Sequence, residues 1–325
     1  MRLRRPTSVI GAVLVTLLGL VGCGGGKGEQ PVKTLTYHSG VPLDVKVTDG
    51  GSEANVRLES VSYTSVDGQR VPALLSIPTD RKPLGCLVYQ GGLGLAKEQS
   101  PGLRTGAVAL RLATFTIDPR NVGARGSVDR AIAAVKKPET LAEMVANTAV
   151  DVRVGLDYLE SRPECRGNIA YMGTSFGAVV GAIVAAQDQR ITSTVLTSIG
   201  PTFERGIVMT NEEAERNPDF TVVEVPGAVK DPKILAHALS VLGPYDPVRW
   251  VGKIAPRPLM LVNGRDDPLV SHADALDIAK AARDPKTVLY AATGHDPFEA
   301  GAGEQSATAQ VAEFLANTLG LTKHL

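Results

Sequence analysis

Cysteine is nearly absent: Cys23, Cys86 and Cys165 are the only three in 325 residues, too few for a disulfide-built scaffold and not spaced as zinc ligands. Neither sign of charge is in excess. Lys and Arg together number 34, as do Asp and Glu, so the positive surplus that phosphate neutralisation needs is missing and nucleic acid is not an expected partner. The apolar run from Val9 to Val21 is shorter than the roughly 20 residues that span a bilayer core. Internal repeats are lacking, and the only low-complexity stretch is a glycine-rich one just after Cys23, so solenoid, collagen and coiled-coil readings fall away. What is present is ordinary: 43% hydrophobic and 21% charged residues, enough to bury a sizeable core. An enzyme or a small-ligand binder remains.

The first residues read as an address. Arg2, Arg4 and Arg5 precede the apolar run, the order of a secretory signal. Leu20-Val21-Gly22-Cys23 closes it and resembles the lipobox of bacterial lipoproteins. That resemblance implies removal of residues 1–22, lipidation of Cys23, and a bacterial cell-envelope protein anchored to a membrane. An ordinary secretory signal followed by a chance cysteine is the alternative. Loss of the three arginines leaves 31 basic against 34 acidic side chains, a formal charge near −3. Residues 23–34, glycine-rich at their start, are expected to be a flexible tether.

The body, 35–325, reads as a single α/β domain. Alternation at Leu43, Val45 and Val47, then at Val56, Leu58 and Val61, predicts half-buried antiparallel strands, with a hairpin turn at Asp67-Gly68. Short apolar runs follow at 84–89, 113–117, 169–172, 194–196, 259–262 and 288–291. Helical periodicity lies between them at 103–112, 139–159, 176–186, 271–282 and 305–319. Apolar strands alternating with helices predict a mostly parallel central sheet flanked by helices on both faces. The pattern breaks between Ile199 and Asp246, where one helix at 232–242 stands in charged, Pro-bearing sequence. This stretch reads as an insertion forming a lid.

Gly173-Thr174-Ser175-Phe176-Gly177 matches G-x-S-x-G, a sharp strand-to-helix turn that exposes a serine hydroxyl, and here it follows an apolar strand and opens a small-residue helix. A serine is a weak nucleophile without a base, and the base needs an acid to fix its tautomer. Of five histidines, His38 lies near the tether, His237 in the insertion, His272 at a helix start and His324 near the C-terminus. His295, in the loop after the last predicted strand, is the candidate base. The acid is expected after the preceding strand, where Asp266 and Asp267 are adjacent. Asp267 is preferred for its place three residues past Gly264 and three before Val270. An oxyanion hole needs two backbone N–H groups. Phe176 supplies one, and the loop Gln90-Gly91-Gly92-Leu93-Gly94 supplies the other, from Gly92 first or Leu93 second.

With these residues the chain resembles the serine α/β-hydrolases, closest to bacterial esterases of the acetyl xylan esterase and dienelactone hydrolase group. The likeness covers about residues 56–319 and includes a stretch at 157–164 similar to prolyl oligopeptidase-like members. It departs from the pattern at Gln90, where a histidine is frequent, and at Ala178, where a glycine is. The resemblance implies a small-molecule ester as substrate and an acyl-enzyme on Ser175, with no metal or cofactor. An amidase or peptidase of the same fold is the alternative, as is a lipoprotein that binds a ligand without turnover. Asp118 and Arg120 read as a loop salt bridge, Trp250 as packing where the insertion rejoins the sheet, and Cys86 and Cys165 as a pair open to disulfide formation.

Overall fold

The chain forms strands β1 (Lys46–Glu53), β2 (Val56–Thr64), β3 (Arg70–Pro78), β4 (Gly85–Gln90), β5 (Leu112–Ile117), β6 (Ile169–Thr174), β7 (Ile191–Thr197), β8 (Leu259–Gly264) and β9 (Lys286–Ala291). The computed structural model describes residues 35–37, 39–40, 42–165, 167–201, 203, 225, 227–228, 230–299 and 306–323. The expected leader and tether with Cys23, His38, His324 and the middle of the insertion lie outside the described residues. The strands form one sheet in the order β1-β2-β3-β5-β4-β6-β7-β8-β9. Pairings from β1 to β5 are antiparallel, and those from β5 through β4 to β9 are parallel. β4, β5 and β8 are buried at every position, the signature of strands covered on both faces.

Seven α-helices among the described residues supply that cover: α1 (Pro101–Ala109), α2 (Val128–Val135), α3 (Pro138–Glu160), α4 (Phe176–Gln187), α5 (Pro232–Leu242), α6 (His272–Ala281) and α7 (Ala307–Thr318). Helices α1 and α7 bury Ala107, Val311 and Leu315 against Leu87, Met172, Val195 and Met260 on one face of the sheet. Helices α2 to α6 cover Cys86, Val88, Tyr171 and Leu196 on the other. The β4–β5 connection through α1 therefore crosses one face, and the β5–β6 connection through α3 crosses the opposite face. The order of strand addition reverses at β4, with β5 on one side and β6 on the other, which marks the carboxyl ends of β4 and β6 as the place where open α/β sheets bind ligands. Cys86 on β4 and Cys165, in the turn before β6, form a disulfide with Cα atoms 4.8 Å apart.

Two expectations need correction. Strand β1 is exposed at every residue, not half-buried, and stands at the edge of the sheet. The helix expected at 103–112 spans Pro101–Ala109 instead. Pro101 suits the first turn, while Arg111 turns into left-handed backbone at φ 56° and releases Leu112 into β5. Helix α2, with only eight residues, is too short to show a helical period in the sequence. Its start was nonetheless signalled, as the Ser127 hydroxyl accepts from Arg130 N–H at 3.3 Å in the manner of an N-cap.

Candidate active site

Strand β6 runs straight into α4 through Ser175, which holds φ 54° and ψ −115°. A non-glycine residue in such backbone is strained and persists only where its surroundings dictate it. They do so here through close approach. A side chain added at Gly173 would fall 2.2 Å from the Gly177 carbonyl oxygen, and one at Gly177 only 1.9 Å from that of Gln90. Only glycine fits either place, so the turn is as tight as the motif implies. Ser175 N–H donates to the Thr197 carbonyl at 2.9 Å, and Gly177 N–H to that of Gly91 at 3.1 Å. The buried Tyr171 hydroxyl donates to the Gly177 carbonyl at 2.8 Å; burial pushes this phenol well above its ordinary pKa, so it stays a neutral donor.

His295 follows β9 and Asp267 follows β8. The ring nitrogen Nδ1 lies 3.0 and 2.8 Å from the two Asp267 oxygens. The Asp267 side chain has no exposed surface, whereas that of His295 is 29% exposed. Asp267 Oδ1 also accepts from Leu269 N–H at 2.7 Å and Val270 N–H at 3.0 Å. Four contacts fix the carboxylate before any substrate arrives. With Nδ1–H pointed at Asp267, Nε2 is the ring atom left to take a proton. Asp266 is exposed, and it is Asp267 that the structure brings to His295.

Gly92 stands against the serine: a side chain built there would come 3.8 Å from Ser175 Cβ. The Leu93 side chain instead packs on the hydrophobic core. The loop carrying Gly92 is anchored at its far end by a residue passed over in the sequence. Lys97 N–H and Nζ donate to the two oxygens of Asp118 at 3.0 and 2.9 Å. Burial opposes the Lys97 charge, but Glu98 and Asp118 outweigh it and hold the ammonium above its ordinary pKa.

Asp118 and Arg120 thus each enter an ion pair, though not with one another. Arg120 is buried and reaches Asp151 at 2.8 Å and Asp67 at 2.7 Å. Arg125 joins Asp151 at 2.6 Å, and the Ser65 hydroxyl also donates to that carboxylate. This network ties the β2–β3 hairpin and the loop after β5 to α3. No signal in the linear order announces it, since its partners lie 26 to 86 residues apart. Elsewhere, His237 pairs with Glu139 on the surface, His272 meets the Tyr290 ring edge-on, and Trp250 donates to the Pro244 carbonyl at 3.0 Å. Among the described residues no group of His, Cys, Asp and Glu could hold a metal ion.

Comparison with known proteins bears on this arrangement. The family model described as the C-terminal region of BAAT / acyl-CoA thioester hydrolases matches residues 153–296, a span that contains Ser175, Asp267 and His295. No curated protein sequence matches the chain. Among solved structures, acetyl xylan esterase 1 from Thermoanaerobacterium sp. JW/SL YS485 is similar with TM-score 0.63 and 15% identity, over 89% of this chain and 91% of that one. A cold-adapted esterase from an Arctic intertidal metagenomic library is similar with TM-score 0.58 and 19% identity, over 84% and 99% of the two chains. The α/β hydrolase GrgF from Penicillium sp. sh18 is similar with TM-score 0.59 and 18% identity, over 81% and 99%. The chain has the α/β-hydrolase fold.

Proposed function

We propose that the protein is an exported, lipid-anchored serine hydrolase that cleaves small carboxylic esters through Ser175, His295 and Asp267. The observation that carries this reading is the Asp267–His295 contact at 2.8 Å, made at the same end of the sheet as the strained Ser175. His295 Nε2 takes the Ser175 proton as Oγ attacks the ester carbonyl, and the imidazolium formed is stabilised by Asp267. Phe176 N–H and Gly92 N–H face the developing oxyanion. The alcohol leaves with the proton from His295, giving the acyl-enzyme. Water, deprotonated by the same imidazole, then releases the acid and restores the serine.

Export is supported by the Cys86–Cys165 disulfide, because such bonds persist in oxidising compartments and are rare in the cytosol. No helix among the described residues is long and apolar enough to cross a membrane, and the proposed attachment is the lipid on Cys23. A second reading, thioester hydrolysis by the same triad, is favoured by the family match over 153–296. The test is hydrolysis of a p-nitrophenyl acyl series, acetate through decanoate, and of matched thioesters, by the detergent-solubilised full chain beside Ser175→Ala. Ester turnover lost in Ser175→Ala is the expected result. Preference for the thioesters would move the assignment to the second reading. Failure of both substrates and of fluorophosphonate labelling would refute the hydrolase and leave a binding protein.

A further inference from the structure

The adjacent strands β6 and β7 both end in a serine held in left-handed backbone, Ser175 at φ 54° and Ser198 at φ 56°. The nucleophile turn accounts for the first. Nothing in that motif asks for the second, and serine is not among the residues, such as Asn and Asp, that enter this region readily. Strain of this kind is retained where the geometry it creates is used.

What it creates is one hydrogen bond. Ser198 is 3% exposed, and its hydroxyl donates to the backbone carbonyl of His295 at 2.5 Å, 97 residues away. The same short segment holds the nucleophile, since the carbonyl of Thr197 accepts from Ser175 N–H at 2.9 Å. It is also tied to the strand that carries Asp267. Ser198 N–H donates to Val262 at 2.9 Å, and the Asn263 side chain grips Ile199 twice, accepting from its N–H at 2.7 Å and donating to its carbonyl at 3.0 Å. Residues 197–199 therefore touch the serine, the histidine and the strand leading to the aspartate.

On the reading that Ser175 and His295 act together, we infer that Ser198 is a positioning residue for the reaction: its hydroxyl fixes the backbone of His295 relative to Ser175. It touches neither substrate nor the reacting atoms. Loss of the hydroxyl frees the histidine loop to drift from the serine while leaving the pocket that binds substrate in place, so the effect falls on kcat rather than KM.

The experiment compares wild type, Ser198→Ala and Ser198→Gly as full chains in p-nitrophenyl acetate kinetics, fluorophosphonate labelling and thermal melting. Alanine removes the hydroxyl and keeps the strain, whereas glycine removes both. Both variants are expected to lose on the order of ten- to a hundredfold in kcat, with KM within about twofold of wild type. Labelling should slow in parallel, since it too requires His295 to activate Ser175, and the glycine variant should melt no lower than the alanine one. Wild-type kcat in a folded Ser198→Gly would overturn the inference and show that only relief of strain matters. A rise in KM without loss of kcat would overturn it as well, placing Ser198 in substrate binding. A wild-type chain that neither turns over nor labels would refute the hydrolase reading itself, and this inference with it.

Discussion

Gly264 ends β8 against the loop that delivers the base. A side chain there would lie 1.9 Å from the Gly294 carbonyl oxygen and 2.5 Å from that of Thr293, both backbone atoms with no flexible end to swing aside. Gly264→Ala must therefore push the 293–294 segment away. Opening the shorter contact from 1.9 Å to 3.0 Å requires a withdrawal of about 1.1 Å, since a packed interior does not absorb such overlap by compression. His295 is the next residue, and a displacement of about 1 Å at a catalytic group costs on the order of a hundredfold in rate. The assay is kcat/KM on p-nitrophenyl acetate, with circular dichroism to verify folding. Gly106→Ala is the companion control. Gly106 is exposed within α1, a side chain there meets nothing within 4 Å, and a gain of about 0.5–1 kcal/mol with unchanged activity is expected. A folded Gly264→Ala within about threefold of wild-type kcat/KM would refute the claim that the Asp267 and His295 loops are held in contact by this glycine.

Other perturbations have defined outcomes. Asp151→Asn leaves Arg120 and Arg125 facing a neutral group inside the protein, and a loss of about 3–5 kcal/mol in urea unfolding is expected. Replacing Cys86 by serine opens a crosslink between residues 79 apart, which in the chain-entropy account lowers stability by about 4 kcal/mol, and reductant should reproduce that loss in the wild type but not in the variant. Asp188 feels burial, which raises its pKa, but Arg190 outweighs it and holds the carboxylate below 3.8. A depressed folded value means that the stabilisation is complete above the unfolded pKa of about 4 and is lost as pH falls through the folded one. Asp188→Asn should therefore flatten the acid limb of the stability profile below about pH 4, as read by melting temperature against pH.

The sheet was legible because its strands obey a local rule: residues 84–89 and 259–262 are continuous apolar runs, and such runs need cover on both faces. Helix α5 was readable for a similar reason, as Pro232 and Asp231 start it and its apolar residues repeat in helical period. The reading misplaced what depends on partners distant in sequence. Leu43, Val45 and Val47 alternate like a half-buried strand, but β1 starts only at Lys46 and lies at the edge of the sheet, and alternation does not reveal which place in a sheet a strand occupies. Within the site, Ser175, Asp267 and His295 stood out because chemistry fixes their types and their order along the chain. Lys97 and Ser198 did not, since a lysine in a loop and a serine after a strand are unremarked without the Asp118 and His295 that meet them in space. Asp118 and Arg120 stand close in sequence, yet each found its charge elsewhere once α3 and the glycine loop were packed beside them.

The position of His295 after β9 has a consequence for how the protein matures. Every earlier part of the site, from Gly92 through Ser175 to Asp267, is synthesised before the strand that carries the base. On the proposed mechanism, a nascent chain is inert until β9 pairs with β8 and brings His295 to Asp267. This parallel pairing joins residues 27 apart and needs the crossover through α6 to be in place. Recovery of fluorophosphonate reactivity during refolding should then trail the return of secondary structure, making the reagent a clock for the closing step of assembly.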